Sequence, residues 1–470
     1  MNFISLEFIL FFIILLVAMK ISKGIKAHHI ILLIASYTFY AMGDLKFLAL
    51  LFGVSLLMWY LAKYIEKNKG TKKAKTGLIV GVVADVLVLG IFKYFNFFTE
   101  SFSQLFGFSH TTLNIVLPLG ISFYIFQSIS YIADVYTEKV KSEKSLTEIM
   151  LYIGFFPQIV SGPIVKAHDF LPQLKVDHEI TRENLSWGIQ KFASGLFKKI
   201  VIADRLGVSV DAVFSAPSAY SGMTLAITVL IYAMQIYYDF SGYSDMAIGV
   251  ARMLGFDLGK NFNLPYLAKN PSDFWRRWHI SLSSWFRDYV YIPLGGSRKG
   301  KFRTYLNLFI TMLLSGLWHG ASWAFVFWGA CHAFASVVHK FFTDIKKKTG
   351  ELKNTTAKKV VGALSILLTF SVIYFLYIPF RASDLSEAML IIGRIFSWSN
   401  GINYVYVFGI IFAVFLVAVE IISVIKNNGN DIWRPLDLSK WHNKLIFSFF
   451  ILLTLSFAYF GNSAFIYAQF

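Results

Sequence analysis

The sequence has little charge and almost no cysteine. Asp, Glu, Lys and Arg make up 15% of the 470 residues, whereas about 25% is usual in soluble globular domains. The single cysteine, Cys331, excludes an intrachain disulfide framework and argues against a cysteine-ligated metal site. Acidic residues are fewer than basic residues, with 27 Asp and Glu against 44 Lys and Arg. The formal net charge of +17 therefore needs an explanation.

Familiar catalytic signatures are also missing. The sequence contains no P-loop, no GxSxG elbow and no zincin motif. His332 and His339 have no acidic residues near them at metal-ligand spacing, so we predict no metal site and no tightly bound cofactor. No short-period repeat is apparent, which argues against a solenoid. Any chemistry must come from a less familiar arrangement of residues.

Apolar residues dominate the composition of the chain. Hydrophobic residues account for 56% of the chain and aromatic residues for 18%. Apolar runs that approach the roughly 20 residues of a membrane-spanning helix recur from residues 6–19 to residues 445–460. This pattern predicts an all-α polytopic membrane protein in which one membrane domain occupies residues 1–470. Its basic residues lie in short loops, which indicates the positive-inside pattern rather than a nucleic-acid partner.

The basic loops also predict an orientation. The strongest loop, residues 66–76, should face the cytoplasm. Three apolar segments precede it, so the N-terminus is predicted to be extracytoplasmic. Residues 77–94 would then lead outwards, residues 96–110 would lie outside, and residues 112–135 would return to a basic segment.

Two stretches interrupt the regular hydropathy. Residues 146–170 and 262–295 carry glycine or proline every few positions, which is unfavourable for one continuous spanning helix. Irregular backbone at membrane depth occurs only where protein or a water-filled cavity surrounds it. We therefore expect short, tilted or re-entrant helices in both stretches.

His319 is the first candidate functional residue. A helix that rises from Arg303, in a basic loop, would carry His319 about 24 Å at 1.5 Å per residue. The apolar residues 321–338 then descend towards Lys340, so His319 should lie at the turn of a hairpin deep in the membrane. A neutral imidazole there could act as a general base. It could equally well be a histidine that hydrogen-bonds a neighbouring helix.

The other candidates surround a second histidine. His279 follows Arg276 and Arg277 and lies between tryptophans, which suits either substrate positioning or a packed interfacial belt. Asp239 and Asp245 lie in apolar sequence and could line a substrate path or pair with an arginine of residues 276–287. A charged patch at the cytoplasmic edge of the membrane is predicted for four residues, Lys198, Lys199, Asp204 and Arg205.

Five segments resemble one known family. They are PLGISFYIFQSISYIADVY (118–136), GFFPQIVSGPIVK (154–166), YYDFSGYSDMAIGVARMLGF (237–256), NFNLPYLAKNPSDFWRRWHISLSSWFRDYVYIPLGGSRKG (261–300) and SGLWHGASWAFVFWGACHA (315–333). Together they resemble the membrane-bound O-acyltransferase (MBOAT) family, in particular its bacterial alginate O-acetyltransferase-like branch. The resemblance covers most of residues 118–339.

The resemblance implies an MBOAT fold of roughly 11–13 transmembrane or re-entrant helices around a thin central catalytic region. Residues 1–111 would form N-terminal helices, 112–340 the catalytic core and 341–470 C-terminal helices. His319 corresponds to the essential histidine of the family and His279 to its second motif position. Substrate or donor binding is assigned to Trp275, Arg276, Arg277, Arg287, Trp318, Asp239 and Asp245.

The implied reaction is O-acetylation of an extracytoplasmic polysaccharide by a protein of the bacterial cytoplasmic membrane. Acetyl-CoA on the cytoplasmic side is the expected donor, and an exported SGNH-type protein is the expected partner. Peptidoglycan O-acetylation and teichoic-acid D-alanylation remain alternatives within the family. A transporter or channel is an alternative of another class, since intramembrane His and Asp also serve proton relays. A non-catalytic scaffold for a secreted enzyme is a third.

Overall fold

The computed structural model describes residues 2–107, 109, 112–346, 355–404, 406–426, 433–459 and 461. Their regular secondary structure is helical, and no strand occurs among these residues apart from an isolated bridge between Tyr220 and Ile402. In the part of the chain that is described, five helical segments are long and apolar enough to cross a membrane: Ile25–Lys67, Lys72–Phe106, Gly222–Met253, Trp323–Ile345 and Thr356–Arg381. The protein is an all-α polytopic membrane protein, as its composition predicts.

The chain forms two compact units. The first comprises Met1–Leu196, Tyr243–Gly259 and Asp437–Trp441, and the second comprises Phe197–Gly242, Lys260–Leu436 and His442–Phe470. The first half of the chain contains ten α-helices: α1 Leu6–Ile21, α2 Ile25–Asp44, α3 Leu48–Lys67, α4 Lys72–Leu89, α5 Phe95–Phe106, α6 Ile121–Tyr136, α7 Leu146–Gly154, α8 Phe156–Ile159, α9 Ala167–Phe170 and α10 Arg182–Leu196.

Ten further α-helices follow in the described part of the second half: α11 Asp204–Phe214, α12 Gly222–Met253, α13 Pro271–Trp275, α14 Ile280–Phe286, α15 Lys301–His319, α16 Trp323–Lys346, α17 Thr355–Arg381, α18 Leu385–Phe396, α19 Val407–Lys426 and α20 Trp441–Ser456. Four 3₁₀ turns connect them: Leu45–Phe47, Leu171–Lys175, Pro217–Ala219 and Pro265–Leu267. Three segments are π-helical: Gly90–Tyr94, Phe197–Ala203 and Arg287–Tyr291.

The core of the first unit is built on α6, nearly all of which is buried. Helix α3 packs against α4, α6 and α7. Polar residues inside this core have partners: the Ser128 hydroxyl donates to the buried carboxylate of Asp85, and His168 Nδ1 lies 2.7 Å from the fully buried Asp134. Buried polar groups are stable when they are paired in this way.

The two irregular stretches have the short helices expected of them. Residues 146–170 contain α7, α8 and α9, and residues 262–295 contain a 3₁₀ turn, α13, α14 and a π-helical segment. Pro265 and Pro271 each occupy the first turn of a short helix, where a missing N–H costs nothing. The prolines therefore divide these stretches rather than kink longer helices.

One expectation for the connecting segments was wrong. Residues 112–120 are not helical, and α6 begins only at Ile121, after Pro118 and a left-handed Gly120. Most of the segment expected to lie outside, residues 96–110, belongs to helix α5, which continues from α4 through a π-helical turn. His110, at the end of that segment, lies outside the described residues.

Helices α15 and α16 form the predicted hairpin of the second unit. Their contact is the most extensive between any two helices of the described residues. It depends on facing glycines: a Cβ built on Gly316 would meet the carbonyl oxygen of Phe325 and, at 2.9 Å, Cα of Gly329. Only glycine allows the two backbones to approach so closely.

We expect Gly316→Ala to separate this hairpin and to lower stability. The added methyl would overpack the interface, at a cost of about 1–3 kcal/mol. Thermal unfolding in detergent should therefore begin at a lower temperature. Gly362→Ala in α17 is the matched control, because no atom lies within 4 Å of its added Cβ. Equal unfolding temperatures for the two variants would contradict the close packing at Gly316.

Candidate active site

His319 is the last residue of α15 and is only 2% exposed. The helix has 19 residues, so it carries His319 about 27 Å from its first residue. Three aromatic rings surround the imidazole, those of Trp318, Trp328 and Phe380, with centroids 5.0 to 5.3 Å from its own. The hairpin turn therefore presents a histidine inside an aromatic enclosure, as the spacing from Arg303 predicts.

His279 lies in the irregular stretch and is completely buried. Its φ of 42° is left-handed, which is uncommon for a residue with a side chain. Nδ1 of His279 donates a hydrogen bond to Oδ1 of Asn261 at 3.1 Å, and the Ser281 hydroxyl donates to the same oxygen at 2.9 Å. In a neutral ring held in this way, the lone pair is on Nε2.

Trp318 lies between the two predicted histidines. Its ring centroid is 5.1 Å from that of His319 and 6.0 Å from that of His279. Phe240 of α12 contacts the other side of His279 at 4.6 Å between centroids. The second unit thus places both histidines and Trp318 in one aromatic cluster.

A third histidine belongs to the same cluster. His332 of α16 is 2% exposed, and its ring lies 4.4 Å from Trp328 and 5.0 Å from Trp275. No function was predicted for His332 from the sequence. A signal was available, because Trp328 and His332 are four residues apart and must share one face of a helix.

The predicted arginines have different surroundings. Arg277 donates from Nε to Asp273 at 3.0 Å and from its guanidinium to the Asn263 carbonyl at 3.3 Å, so it ties the irregular stretch together. Arg287 forms an ion pair with the adjacent Asp288 at 2.7 Å. Arg276 is exposed, and no ion pair to it occurs among the described residues.

The two intramembrane aspartates pair with lysines rather than with arginines of residues 276–287. In the second unit, Nζ of Lys199 lies 2.5 Å from Asp239 and 2.7 Å from Asp204. In the first unit, Lys191 lies 2.8 Å from Asp245. Lys199 and Asp204 are also buried, so they do not form the surface patch that their sequence suggested. In this triad of Lys199, Asp204 and Asp239, Lys199 lies in the π-helical segment Phe197–Ala203, Asp204 follows that segment directly, and Asp239 lies in α12.

A cavity of about 280 Å³ adjoins the aromatic cluster in the second unit. Trp275 contributes to its wall, so the cavity and the cluster share a residue. Arg287 and Lys340 supply positive charge to the lining, and hydroxyl groups come from serine and threonine side chains: Ser272, Ser283, Ser315, Ser336, Thr304 and Thr311. The lining combines apolar surface, hydroxyls and basic groups. In the described residues, no group of three or more His, Cys, Asp or Glu could hold a metal ion.

These features define a class of protein, a polytopic membrane protein with buried histidines in an aromatic site. Residues 32–379 match the membrane-bound O-acyltransferase family, MBOAT. The chain belongs to this family and is an acyltransferase of its AlgI-like branch.

Curated relatives agree with this assignment. The chain is 38% identical to "Probable alginate O-acetylase AlgI" of Pseudomonas putida, over 85% of this chain and 81% of the relative. It is 36% identical to the peptidoglycan O-acetyltransferase of Helicobacter pylori, over 77% and 72%. It is 29% identical to the teichoic acid D-alanyltransferase of Bacillus subtilis, over 65% and 78%.

We expect Lys199→Met to destabilise the protein strongly. It would remove the cation that lies 2.5 Å from Asp239 and 2.7 Å from Asp204, and breaking a buried ion pair in this way costs about 3–5 kcal/mol. Thermal unfolding of the purified protein measures the effect. Adding Asp239→Asn to Lys199→Met should recover part of the loss because it removes one buried charge. Equal stability of Lys199→Met and wild type would show that the triad carries little energy.

Proposed function

We propose that this protein moves acetyl groups from cytoplasmic acetyl-CoA to a hydroxyl acceptor, for O-acetylation of an extracytoplasmic polysaccharide. An SGNH-type protein outside the membrane would complete the transfer. The protein would lie in the bacterial cytoplasmic membrane with its N-terminus extracytoplasmic. The observation that carries the proposal is His319, buried at the end of α15 within an aromatic enclosure beside a cavity with basic groups in its lining. The O-acetyltransferase names of the relatives support the reaction class.

His319 would act as the general base. The acceptor hydroxyl gives its proton to the imidazole while its oxygen forms a bond to the thioester carbonyl carbon, and the carbonyl π electrons move to the oxygen. When this tetrahedral intermediate collapses, the C–S bond breaks and the thiolate takes the proton from the imidazolium. The products are an acetyl ester and CoA thiol, with no net proton consumed. General base catalysis of this kind typically contributes about 10²–10⁴-fold.

His279 would position the acceptor or the base. Asn261 accepts a hydrogen bond from Nδ1 and so fixes the orientation of the ring. Trp318 contacts the rings of both histidines. An error of about 1 Å in the placement of a reacting group can cost about 10²-fold in rate, so a fixed His279 can matter without exchanging a proton.

We place the donor in the 280 Å³ cavity, with its acyl end towards the aromatic cluster and its phosphates towards the basic side chains of the lining. Its wall includes Trp275, which contacts His332 and Trp328 of the cluster. Arg287 and Lys340 in its lining are suited to the phosphates of CoA, since guanidinium and ammonium groups bind phosphate well. The identities with O-acetyltransferases, 38% and 36%, exceed the 29% with a D-alanyltransferase, which favours an acetyl donor.

The first test is acetyl transfer by purified protein in lipid with radiolabelled acetyl-CoA. We expect His319→Ala to lower thioester turnover by about 10²–10⁴-fold, with unfolding temperature retained. We expect a smaller loss for His279→Ala. His442→Ala, an exposed histidine at the start of α20, should behave as wild type. Full activity of His319→Ala would reject the general base, and no turnover by wild type would reject the proposed reaction.

Arg287→Gln tests where the donor binds. Losing one charge-assisted hydrogen bond costs about 1.5–3 kcal/mol, which corresponds to a rise in KM for acetyl-CoA of about 10–100-fold. The value of kcat should change little, because the phosphates are remote from the bond that breaks. Arg303→Gln, exposed in the first turn of α15, is the control. An unchanged KM for Arg287→Gln would place the donor elsewhere.

A further inference from the structure

Three buried polar atoms belong to rings of the aromatic cluster that contains His319. They are Nε1 of Trp275, Nε1 of Trp328 and Nδ1 of His332, and none has a hydrogen-bond partner among the described residues. The three rings contact one another, with centroids 5.8 Å apart for the two tryptophans and 5.0 and 4.4 Å from each tryptophan to the histidine. Trp328 and His332 are only 3% and 2% exposed.

Such a cluster requires a partner for its polar atoms. Leaving a buried donor or acceptor unsatisfied costs about 1–3 kcal/mol for each group, and here three lie together. An indole N–H can only donate, so two of the three atoms demand an acceptor. The cluster is therefore suited to bind a ligand oxygen with two lone pairs. Hydrogen bonds to that oxygen strengthen as its negative charge grows.

We propose that the indole N–H groups of Trp275 and Trp328 bind the carbonyl oxygen of the acyl thioester and stabilise it as an oxyanion. This inference rests on the proposed acyl transfer. Trp275 lines the 280 Å³ cavity, so the recess is reached from the side proposed for the donor. The Trp328 ring lies 5.0 Å from His319, so the proposed base is one ring away.

His332 has a different part in the same recess. Its ring packs against both tryptophans, with centroids 5.0 Å from Trp275 and 4.4 Å from Trp328. Helix α16 places Trp328 and His332 one turn apart, while α13 supplies Trp275. His332 is therefore a positioning residue, and the two indoles are the groups that touch substrate.

Variants that remove the N–H but keep the ring test this assignment. In Trp275→Phe and Trp328→Phe, we expect kcat for acetyl-CoA to fall by about 10²-fold each, which is the usual effect of losing one oxyanion donor. Affinity for S-ethyl-CoA, a thioether without the carbonyl oxygen, should not change. Trp278→Phe is the matched control, because it removes an indole from the same stretch as Trp275. The ring of Trp278 packs against other aromatic residues and contacts neither Trp328 nor His332.

A second kind of substitution tests the proposal if the phenylalanine variants do not fold. Replacing Trp275 or Trp328 with benzothienylalanine, in which sulfur takes the place of the N–H, keeps the size of the ring system and should reproduce the fall in kcat. Unchanged kcat in these proteins would overturn the proposal, as would a loss of S-ethyl-CoA affinity that accounts for the whole effect. If wild type itself does not turn over acetyl-CoA, the proposed reaction fails instead.

Discussion

Hydrocarbon offers no hydrogen bonds to a peptide backbone, and this constraint shapes the protein. Helices satisfy the hydrogen bonds of their own backbone groups. In the stretch 262–295, the N–H and C=O groups of turns and bends need other hydrogen-bond partners. It does so internally: Ile280 N donates to the Asn261 carbonyl and Asn263 N donates to the Arg277 carbonyl, both at 2.9 Å. The side chains of Arg277 and Asn261 add further bonds. This self-contained network is what allows His279 to hold a left-handed backbone conformation.

The same constraint explains why the site is aromatic. A polar pocket inside a membrane protein needs a wall that excludes lipid and water without adding unpaired charge. Rings of Trp318, Trp328 and Phe380 provide such a wall around His319, and glycines 316 and 329 bring the two helices close enough to complete it. In these surroundings, electrostatic interactions are stronger than in water.

The sequence predicted most of this fold because lipid imposes simple rules on hydropathy. The membrane class, the short helices and the hairpin that ends at His319 all follow from the spacing of apolar, proline and basic residues. The helices between Arg182 and Phe214 were missed, because a buried Lys199 between two carboxylates has the same sequence pattern as a surface patch. The spacing of Trp328 and His332 places them on one face of a helix, but their contact with Trp275, more than 50 residues away, follows only from the fold.

The arrangement also explains how acyl transfer could proceed without a permanent charge beside the base. Taking a proton creates an imidazolium at His319 at the moment an oxyanion forms on the donor. Aromatic rings lie 5.0 to 5.3 Å from the ring of His319 between centroids, within the range at which rings can attract a cation, and indole N–H groups can stabilise the anion. Both charges arise together and disappear together. A site made of neutral groups then costs little to bury in the resting protein, yet stabilises the charged intermediate when it forms.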